Sequence, residues 1–228
     1  MSTLDYKNIE CAVFDLDGTL LNTIKTINYY LNFALDKNGL GHIDEASCMS
    51  FVGDGAAMLI HRALAMLGAD DEENFSAVFH DYNAAYDADP YYLTEVYDGI
   101  SDMLAGLKNA GIKIAVLSNK PDFAARSAVA HFFGDTFSFV AGARPEVALK
   151  PNPDALLSIL SQLNIDPTRA AYIGDSDQDI LTARNAYVSL SISVGWGFRS
   201  REHLLSFGPS YLIDHPMEIM KIMKTDVM

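Results

Sequence analysis

Apolar residues form two kinds of pattern along this chain of 228 residues. Short unbroken apolar runs, bounded by turn residues, predict strands that are buried on both faces. Such runs cover residues 11–16, 112–117, 137–141, 170–173 and 188–194. Between the later runs, apolar residues recur at helical spacing, for example over 100–107 and 123–133. Asn152 and Pro153 predict the cap and the first residue of a further helix.

Strands that alternate with helices are joined by right-handed crossovers into a parallel sheet covered on both faces. The pattern therefore predicts an α/β fold, with a Rossmann-like three-layer core and a parallel sheet of five or more strands. In such sheets, ligands bind beyond the carboxyl ends of the strands. The polar residues that follow the strands are consequently the candidates for function.

Residues 21–94 differ from the rest, because they contain helical spacing and no strand signal. Helices are predicted from Ile24, with Thr23 as N-cap, and over residues 56–67 and 74–88. The segment is therefore predicted to be an all-helical insertion directly after the first strand.

This insertion divides the chain into two predicted domains. The insertion itself, residues 22–94, is expected to fold as a helical cap domain. Residues 1–21 and 95–228 are then expected to form the α/β core domain, since the remaining strand signals all lie there.

Polar residues follow several of the predicted strands. They are Asp15, Asp17, Gly18 and Thr19 after the first strand, Ser118 and Asn119 after the second, Lys150 in a loop, and Asp175 and Asp179 after the fourth. Because the carboxyl ends of parallel strands meet at one edge of a sheet, we expect these residues to converge.

Charge narrows the range of partners. The formal net charge is −14 at pH 7, from 30 acidic and 16 basic residues. This balance disfavours nucleic acids and anionic membrane surfaces, since both are held mainly through Lys and Arg. An anionic substrate would need local positive charge, and a divalent metal ion is an effective source of it.

The N-terminus has no apolar run typical of a secretory signal, and no stretch approaches the ~20 apolar residues that a membrane helix needs. Cys11 and Cys48 are too few for a disulfide framework and lack zinc-site spacing, so both are predicted to be reduced thiols. A single bridge between them is the less favoured alternative. A cytoplasmic protein, monomeric or homodimeric, is expected.

The order of the polar motifs adds a family to this picture. The chain contains Asp15-Leu16-Asp17-Gly18-Thr19, then Ser118, then Lys150, then Gly174-Asp175 with Asp179. This series resembles the haloacid dehalogenase-like hydrolases, whose signature is DxDGT, a Ser or Thr after an apolar strand, a Lys, and GDxxxD. The resemblance covers essentially the whole chain. It implies a phosphatase that uses Mg²⁺ and acts on a small phosphorylated metabolite.

The resemblance identifies Asp15 as the nucleophile, which accepts the phosphoryl group before hydrolysis. A carboxylate attacks phosphorus only if its own charge and that of the phosphate are neutralised. Asp15, Asp175, Asp179 and the backbone carbonyl of Asp17 are the expected Mg²⁺ ligands, since Mg²⁺ prefers oxygen.

Three further roles follow from the same resemblance. Ser118 and Lys150 are expected to stabilise the charge on the transferred group. Asp17 is expected to protonate the leaving group and later to deprotonate the attacking water. An acid at this position favours a hydrolase or a mutase with rapid turnover.

Simpler interpretations of the acidic residues stay open at this point. Asp15 and Asp17 also suit a capped turn, and residues 175–179 also suit a capping box at the start of a helix. Asp177 is predicted to be a solvated charge in the first turn of that helix. Lys120 is predicted to be a surface residue, with a contact to phosphate or to the cap as the alternative.

Looser similarities indicate the phosphoglycolate phosphatase branch, and 2-phosphoglycolate is the substrate they suggest. They lie in residues 51–55 of the cap, in residues 118–121 and at Trp196-Gly197. The predicted substrate-binding residues are Thr19, Asn119, Gly53, Asp54 and Arg62. Arg62 on a cap helix suits either a substrate carboxylate or a solvated helix face.

Two alternatives to a phosphatase are considered. A mutase that resembles β-phosphoglucomutase would share the core and the cap, but would return the phosphoryl group to a sugar phosphate. A non-catalytic phospho-Asp regulatory domain would also cluster Asp, Ser and Lys on a parallel sheet. Such a domain has no need for an acid at Asp17 or for a helical cap.

Overall fold

The computed structural model describes residues 9–223 and confirms the predicted α/β class. In chain order the elements are β1 (Cys11–Phe14), β2 (Leu21–Asn22), α1 (Ile24–Lys37), α2 (Glu45–Phe51), α3 (Ala56–Met66), α4 (Glu72–Ala88), β3 (Glu95–Val96), α5 (Ile100–Asn109), β4 (Lys113–Pro121), α6 (Asp122–Phe133), β5 (Phe139–Ala143), α7 (Asp154–Gln162), β6 (Ala170–Gly174), α8 (Asp177–Asn185), β7 (Leu190–Val194), α9 (Arg201–Ser206), β8 (Tyr211–Ile213) and α10 (Glu218–Ile222). Helices and strands alternate from β4 onward, as the apolar pattern predicts.

The described chain divides into two compact units. One, called here the core unit, contains the described residues up to Leu21 and from Val96 onward. The other, called here the helical unit, is formed by Asn22–Glu95. The main sheet belongs to the core unit, and α1 to α4 belong to the helical unit.

Six strands form the main sheet of the described residues, in the order β5-β4-β1-β6-β7-β8. All neighbouring pairs in this sheet are parallel. From β1 the chain passes to β4 and β5 on one side, and later to β6, β7 and β8 on the other. This reversal of direction at β1 creates the crevice where α/β sheets of this kind bind ligands.

Several strands differ from the sequence prediction, since β1 ends at Phe14, β5 spans Phe139–Ala143 and β7 begins at Leu190. The second predicted strand does not end at residue 117, because β4 runs from Lys113 to Pro121, with a register shift against β5 between Leu117 and Pro121. Ser118 and Asn119 therefore lie within a strand. The strands β2, β3 and β8 were not predicted, because two or three residues are too few to form a clear apolar run.

Two predicted helix starts differ from the structure in their capping details. Thr23 occupies the N-cap position of α1, but among the described residues its side chain makes no capping hydrogen bond. Helix α7 begins at Asp154, one residue later than predicted, and Pro153 is its N-cap. The Asn152 side chain still accepts a hydrogen bond from the Asp154 N–H, at 2.8 Å. Its capping chemistry is therefore retained in a turn that precedes the helix.

Among the described residues, Tyr172 is the largest side chain that is almost fully buried. It lies on β6, and its hydroxyl donates a hydrogen bond to the Leu117 carbonyl of β4, at 3.0 Å. The Lys150 ammonium lies 5.9 Å from the centre of the Tyr172 ring. Burial raises the pKa of this tyrosine well above its ordinary value, so it stays a neutral donor.

Polar side chains fasten the connections within the helical unit. The Asn32 amide of α1 accepts from the Ile43 N–H and donates to the Ile43 carbonyl, both at 2.8 Å. The Tyr30 hydroxyl donates to the Asp89 carbonyl at 2.6 Å, and the Thr26 hydroxyl donates to the Tyr92 carbonyl at 2.6 Å. The segments before α2 and after α4 are thereby held against α1.

Across the described part of the chain, the helices are too short or too polar to span a membrane. Cys11 and Cys48 are both buried free thiols. Burial raises the pKa of each thiol to about 12, which keeps both protonated near neutral pH.

Replacing Tyr172 with Phe should lower the free energy of unfolding by about 1–3 kcal/mol, because the buried Leu117 carbonyl loses its tyrosine donor. Tyr187→Phe is the matched control, since Tyr187 is 82% exposed, and we expect it to change stability by less than about 0.5 kcal/mol. Urea unfolding of the three proteins measures this difference. Equal stability of the two variants would contradict a structural role for the Tyr172 hydroxyl.

Candidate active site

Three buried carboxylates form a cluster at the carboxyl ends of two central strands. Asp15 follows β1, Asp175 follows β6, and Asp179 lies in the first turn of α8. Each contributes a carboxylate oxygen, and these oxygens lie within 4.8 Å of one another. The convergence expected from the strand ends is therefore present.

Strand register explains why two of these residues meet. β1 and β6 are adjacent and parallel, with Phe14 opposite Ile173. The Asp15 N–H donates to the Ile173 carbonyl at 2.9 Å, so the ladder continues to the nucleophile candidate. Asp175 lies two residues after Ile173, directly beyond the end of the neighbouring strand β6. Both side chains consequently leave the sheet at the same edge.

Asp179 is positioned by a capping box. Its Oδ2 accepts hydrogen bonds from the Ser176 N–H at 2.9 Å and from the Ser176 hydroxyl at 2.6 Å. The simpler interpretation of residues 175–179 is thus correct for this part of the motif. The capping box uses only Oδ2 of Asp179. The other oxygen, Oδ1, accepts a hydrogen bond from Lys150 Nζ.

Lys150 links two members of the cluster. Its Nζ lies 2.9 Å from Asp15 Oδ1 and 2.7 Å from Asp179 Oδ1, and its side chain is only 3% exposed. Although burial alone disfavours a charged ammonium, the neighbouring Asp15 and Asp179 carboxylates raise the pKa of Lys150 well above its ordinary value. Lys150 is therefore a fixed positive charge at this site.

Asn119 holds the backbone that carries this lysine. Its Oδ1 accepts from the Lys150 N–H at 2.9 Å, and its Nδ2 donates to the Lys150 carbonyl at 3.4 Å. Asn119 was predicted to bind substrate, and it is 8% exposed. The contacts described here make it a support for Lys150, a role that only the folded chain reveals.

The carboxylates outnumber the lysine that bonds to them. Burial, opposed by Lys150 and reinforced by the charges of Asp179 and Asp175, raises the pKa of Asp15. Burial and the charge of Asp179 likewise raise the pKa of Asp175. Three clustered oxygen ligands with excess negative charge suit a hard divalent cation such as Mg²⁺, which prefers oxygen.

Asp17 and Lys120 form a second ion pair beside the cluster. Lys120 Nζ lies 3.3 Å from Asp17 Oδ2, and its side chain is 10% exposed. The prediction that Lys120 is a surface residue is therefore wrong. The sequence did contain a signal for this contact. Lys120 lies two residues after Ser118 on β4, and β4 ends at the same edge of the sheet as the carboxylates.

Ser118 lies on β4, the other neighbour of β1, and is 4% exposed. Its hydroxyl oxygen accepts a hydrogen bond from the Lys120 N–H at 3.3 Å. The register of β1 and β4 pairs Phe14 with Val116, so Ser118 extends beyond the point where Asp15 leaves β1. This places it at the same edge of the sheet as the carboxylates.

Thr19 has a different role from the one predicted. Its side chain is fully buried, and its hydroxyl donates to Asp175 Oδ1 at 2.9 Å. Complete burial leaves no surface for the substrate contact expected of Thr19. The geometry instead makes Thr19 an orienting residue for Asp175.

Asp177 lies outside the carboxylate cluster, as predicted. It is not a freely solvated charge, however, since its Oδ1 lies 3.1 Å from His203 Nε2 and 3.8 Å from Arg199 Nε. The side chain is 20% exposed. Local ion pairs therefore account for this residue.

The remaining predicted substrate residues belong to the helical unit. Gly53 and Asp54 lie between α2 and α3, and Arg62 lies on α3. Arg62 donates to the Phe51 carbonyl at 2.7 Å and to Asp54 Oδ2 at 2.5 Å. The arginine thus braces the loop that contains Asp54, and the binding role of these residues stays a prediction.

Comparisons with known proteins find relatives over most of the chain. Phosphoglycolate phosphatase of Rhodospirillum rubrum is 33% identical over 211 residues, covering 90% of this chain and 87% of that protein. Phosphoglycolate phosphatase 1 of Pseudomonas aeruginosa is 31% identical over 213 residues, covering 92% and 78%. A structure from Lactobacillus delbrueckii subsp. bulgaricus, provisionally named a phosphoglycolate phosphatase, superposes with a TM-score of 0.90 at 29% identity, covering 95% and 98%.

A family model described as haloacid dehalogenase-like hydrolase matches residues 12–192. The match runs from within β1 to within β7 and includes the helical unit. It also contains all three clustered carboxylates, Asp15, Asp175 and Asp179. Since the match spans most of the sequence and its site, the chain belongs to the haloacid dehalogenase-like hydrolase family.

Proposed function

We propose that this protein is a magnesium-dependent phosphatase that hydrolyses a small phosphate monoester through an aspartyl phosphate at Asp15. The arrangement around Asp15 carries the proposal. Its Oδ1 accepts from the Leu16 N–H at 2.7 Å and lies 2.9 Å from Lys150 Nζ. Because both contacts involve Oδ1, Oδ2 is the oxygen available to attack phosphorus.

Asp15, Asp175 and Asp179 are the side chains that would hold Mg²⁺, with the Asp17 carbonyl as a further ligand. When bound, the ion supplies positive charge that offsets the repulsion between these carboxylates and the phosphate. Their shared burial and oxygen chemistry support this assignment.

Catalysis proceeds in two steps. Asp15 Oδ2 bonds to phosphorus while the bond from phosphorus to the ester oxygen breaks, and Asp17 donates its proton to that leaving oxygen. Asp17 then removes a proton from a water molecule, whose oxygen attacks the phosphorus of the aspartyl phosphate. The bond to Asp15 breaks, and inorganic phosphate leaves with Asp15 restored.

Two further groups stabilise the transferred phosphoryl group in this proposal. The Lys150 ammonium provides positive charge, and Ser118 provides a hydroxyl donor at the end of β4. Asn119 acts indirectly, since its amide fixes the Lys150 backbone. Preorganised donors of this kind lower the barrier because they need no rearrangement during the reaction.

We further propose 2-phosphoglycolate as the substrate, because the relatives described above carry the name phosphoglycolate phosphatase. The core residues address the phosphoryl group, which all phosphate monoesters share, so selection is assigned to the helical unit. The mutase alternative differs in requiring a sugar bisphosphate for activation. A cytoplasmic location and a monomeric or dimeric state stay predictions.

Asp15→Asn should reduce phosphate release from 2-phosphoglycolate to background, because the amide is no longer a nucleophile. Asp177→Asn is the matched control in the same unit, and it should retain wild-type turnover, since Asp177 pairs with Arg199 and His203 instead. Phosphate release with Mg²⁺ and circular dichroism test both variants. Turnover by folded Asp15→Asn, free of wild-type protein, would remove Asp15 from its role.

Millimolar Mg²⁺ should raise the melting temperature, because it relieves repulsion in the folded state alone. A ligand at a hundred times its Kd adds about 2.7 kcal/mol, which corresponds to roughly 5–11 °C at this chain size. Asp175→Asn should lose most of this shift. Differential scanning calorimetry checks it, with NaCl at matched ionic strength as control; an equal shift in NaCl would count against a specific site.

Selection by the helical unit predicts an effect of Arg62→Ala that depends on the substrate. We expect kcat/KM for 2-phosphoglycolate to fall at least about ten-fold, the typical cost of losing a charged hydrogen bond, while p-nitrophenyl phosphate changes little. Lys37→Ala in the same unit is the control, since the Lys37 side chain is 57% exposed and forms an ion pair with Asp81.

The outcome separates several assignments. Equal losses on both substrates would mean that Arg62 supports the fold of its loop and does not select substrate. If β-glucose 1-phosphate is the preferred substrate and a sugar bisphosphate is required, the mutase alternative holds. In either case, the Asp15→Asn and Asp177→Asn variants test the role of Asp15 as the nucleophile separately.

A further inference from the structure

The segment Gly195–Phe198 follows β7 and is fastened to three separate parts of the core unit. The Gly195 N–H donates to the Ile213 carbonyl of β8 at 2.8 Å. The Trp196 indole N–H donates to the Thr19 carbonyl at 3.0 Å. The Phe198 N–H donates to Asp175 Oδ2 at 2.8 Å. The segment therefore joins the loop after β1 to the carboxylate that follows β6.

Close approach allows this segment little freedom. A Cβ added to Gly197 would lie 2.1 Å from the Asp175 Cβ and 2.6 Å from the Gly18 carbonyl oxygen. A Cβ added to Gly18 would lie 2.4 Å from Asp175 Oδ2. Only glycine leaves room for Asp175 at both positions. The carboxylate is thus enclosed by backbone on two sides.

Hydrogen bonds complete the enclosure of Asp175. Its Oδ1 accepts from the fully buried Thr19 hydroxyl at 2.9 Å, and its Oδ2 accepts from Phe198. The Thr19 hydroxyl can keep donating to Asp175 Oδ1 as long as the Thr19 backbone does not move. The Thr19 N–H donates to the Leu16 carbonyl at 3.3 Å, and the Trp196 indole holds the Thr19 carbonyl on the other side of the residue.

We propose that Trp196 is a positioning residue that orients Asp175 for Mg²⁺ through Thr19. This inference rests on the proposed function, since it assumes that Asp175 binds the ion. Trp196 touches neither substrate nor metal in this scheme. Its contribution passes from the indole N–H to the Thr19 carbonyl, and from the Thr19 hydroxyl to Asp175 Oδ1.

A packed aromatic residue would not have this effect. Packing depends on the shape of the ring, which also lies 6.5 Å from the Tyr97 ring, measured between centroids. Positioning depends on the N–H donor, and indole is a donor only. The two roles are separable by removing the N–H while keeping the shape of the side chain.

The sequence contains one tryptophan, so global replacement of tryptophan alters position 196 alone. Benzothienylalanine replaces the indole N–H with sulfur in a ring of the same shape. 5-Fluorotryptophan retains the N–H and is the matched control. Trp196→Phe, which has a ring without a donor, is a second variant if the sulfur analogue folds poorly.

Isothermal titration calorimetry with Mg²⁺ and no substrate measures the effect. We expect the Kd to rise about three- to ten-fold in the benzothienylalanine protein and in Trp196→Phe, as for loss of one neutral hydrogen bond, and to be unchanged with 5-fluorotryptophan. Thr19→Val should weaken binding as well. In the Thr19→Val background the sulfur analogue should change the Kd by less than about two-fold, because the connection is already broken.

The results distinguish this inference from the proposed function. A Kd within about two-fold of wild type in the folded sulfur analogue would overturn the positioning role, whatever its melting temperature. Independent, additive effects of Trp196 and Thr19 would also overturn it. If the unaltered protein binds no Mg²⁺, both this inference and the metal assignment fail. If it binds Mg²⁺ yet releases no phosphate from any monoester, the proposed function fails and the positioning role is judged on the affinities.

Discussion

The rest of the core unit depends on one constraint, the repulsion among three buried carboxylates that lie at the ends of β1 and β6 and in the first turn of α8. Ionised carboxylates are costly to bury without partners. Burial and mutual charge raise the pKa of Asp15 and Asp175. Lys150 bonds to Asp15 and Asp179, and Thr19 donates to Asp175. The cluster persists in a folded chain because each oxygen-rich group has a positive charge or a donor beside it.

Sheet topology makes this concentration of charge possible. The strand order places β1 between β4 and β6, so that three successive strand ends meet at one edge. Asp15, Ser118 and Asp175 come from those three strands. The rigid ladders between them limit how far the side chains can separate. The sheet thereby holds together an arrangement that is electrostatically unfavourable by itself and that the proposed divalent ion would stabilise.

Two lysines supply positive charge locally in a chain whose net charge is −14. Lys150 bonds to the nucleophile candidate, and Lys120 pairs with Asp17, the proposed acid and base. Both lysine side chains are at most 10% exposed. In a low-dielectric environment their charge acts more strongly than it would at the surface. The unfavourable overall charge for an anionic substrate is thus corrected where the reaction is proposed to occur.

The sequence by itself determined the alternation of helices and strands, the helical insertion and the order of the polar motifs, because these depend on local apolar spacing and turn residues. It also placed Asp15 and Asp175 at strand ends. Only the tertiary structure decided which partners these residues meet. Thr19 and Asp175 are 156 residues apart, Lys120 and Asp17 are 103 apart, and Trp196 and Thr19 are 177 apart. Hydrogen bonds across such separations arise from sheet register and loop packing, which no local pattern encodes.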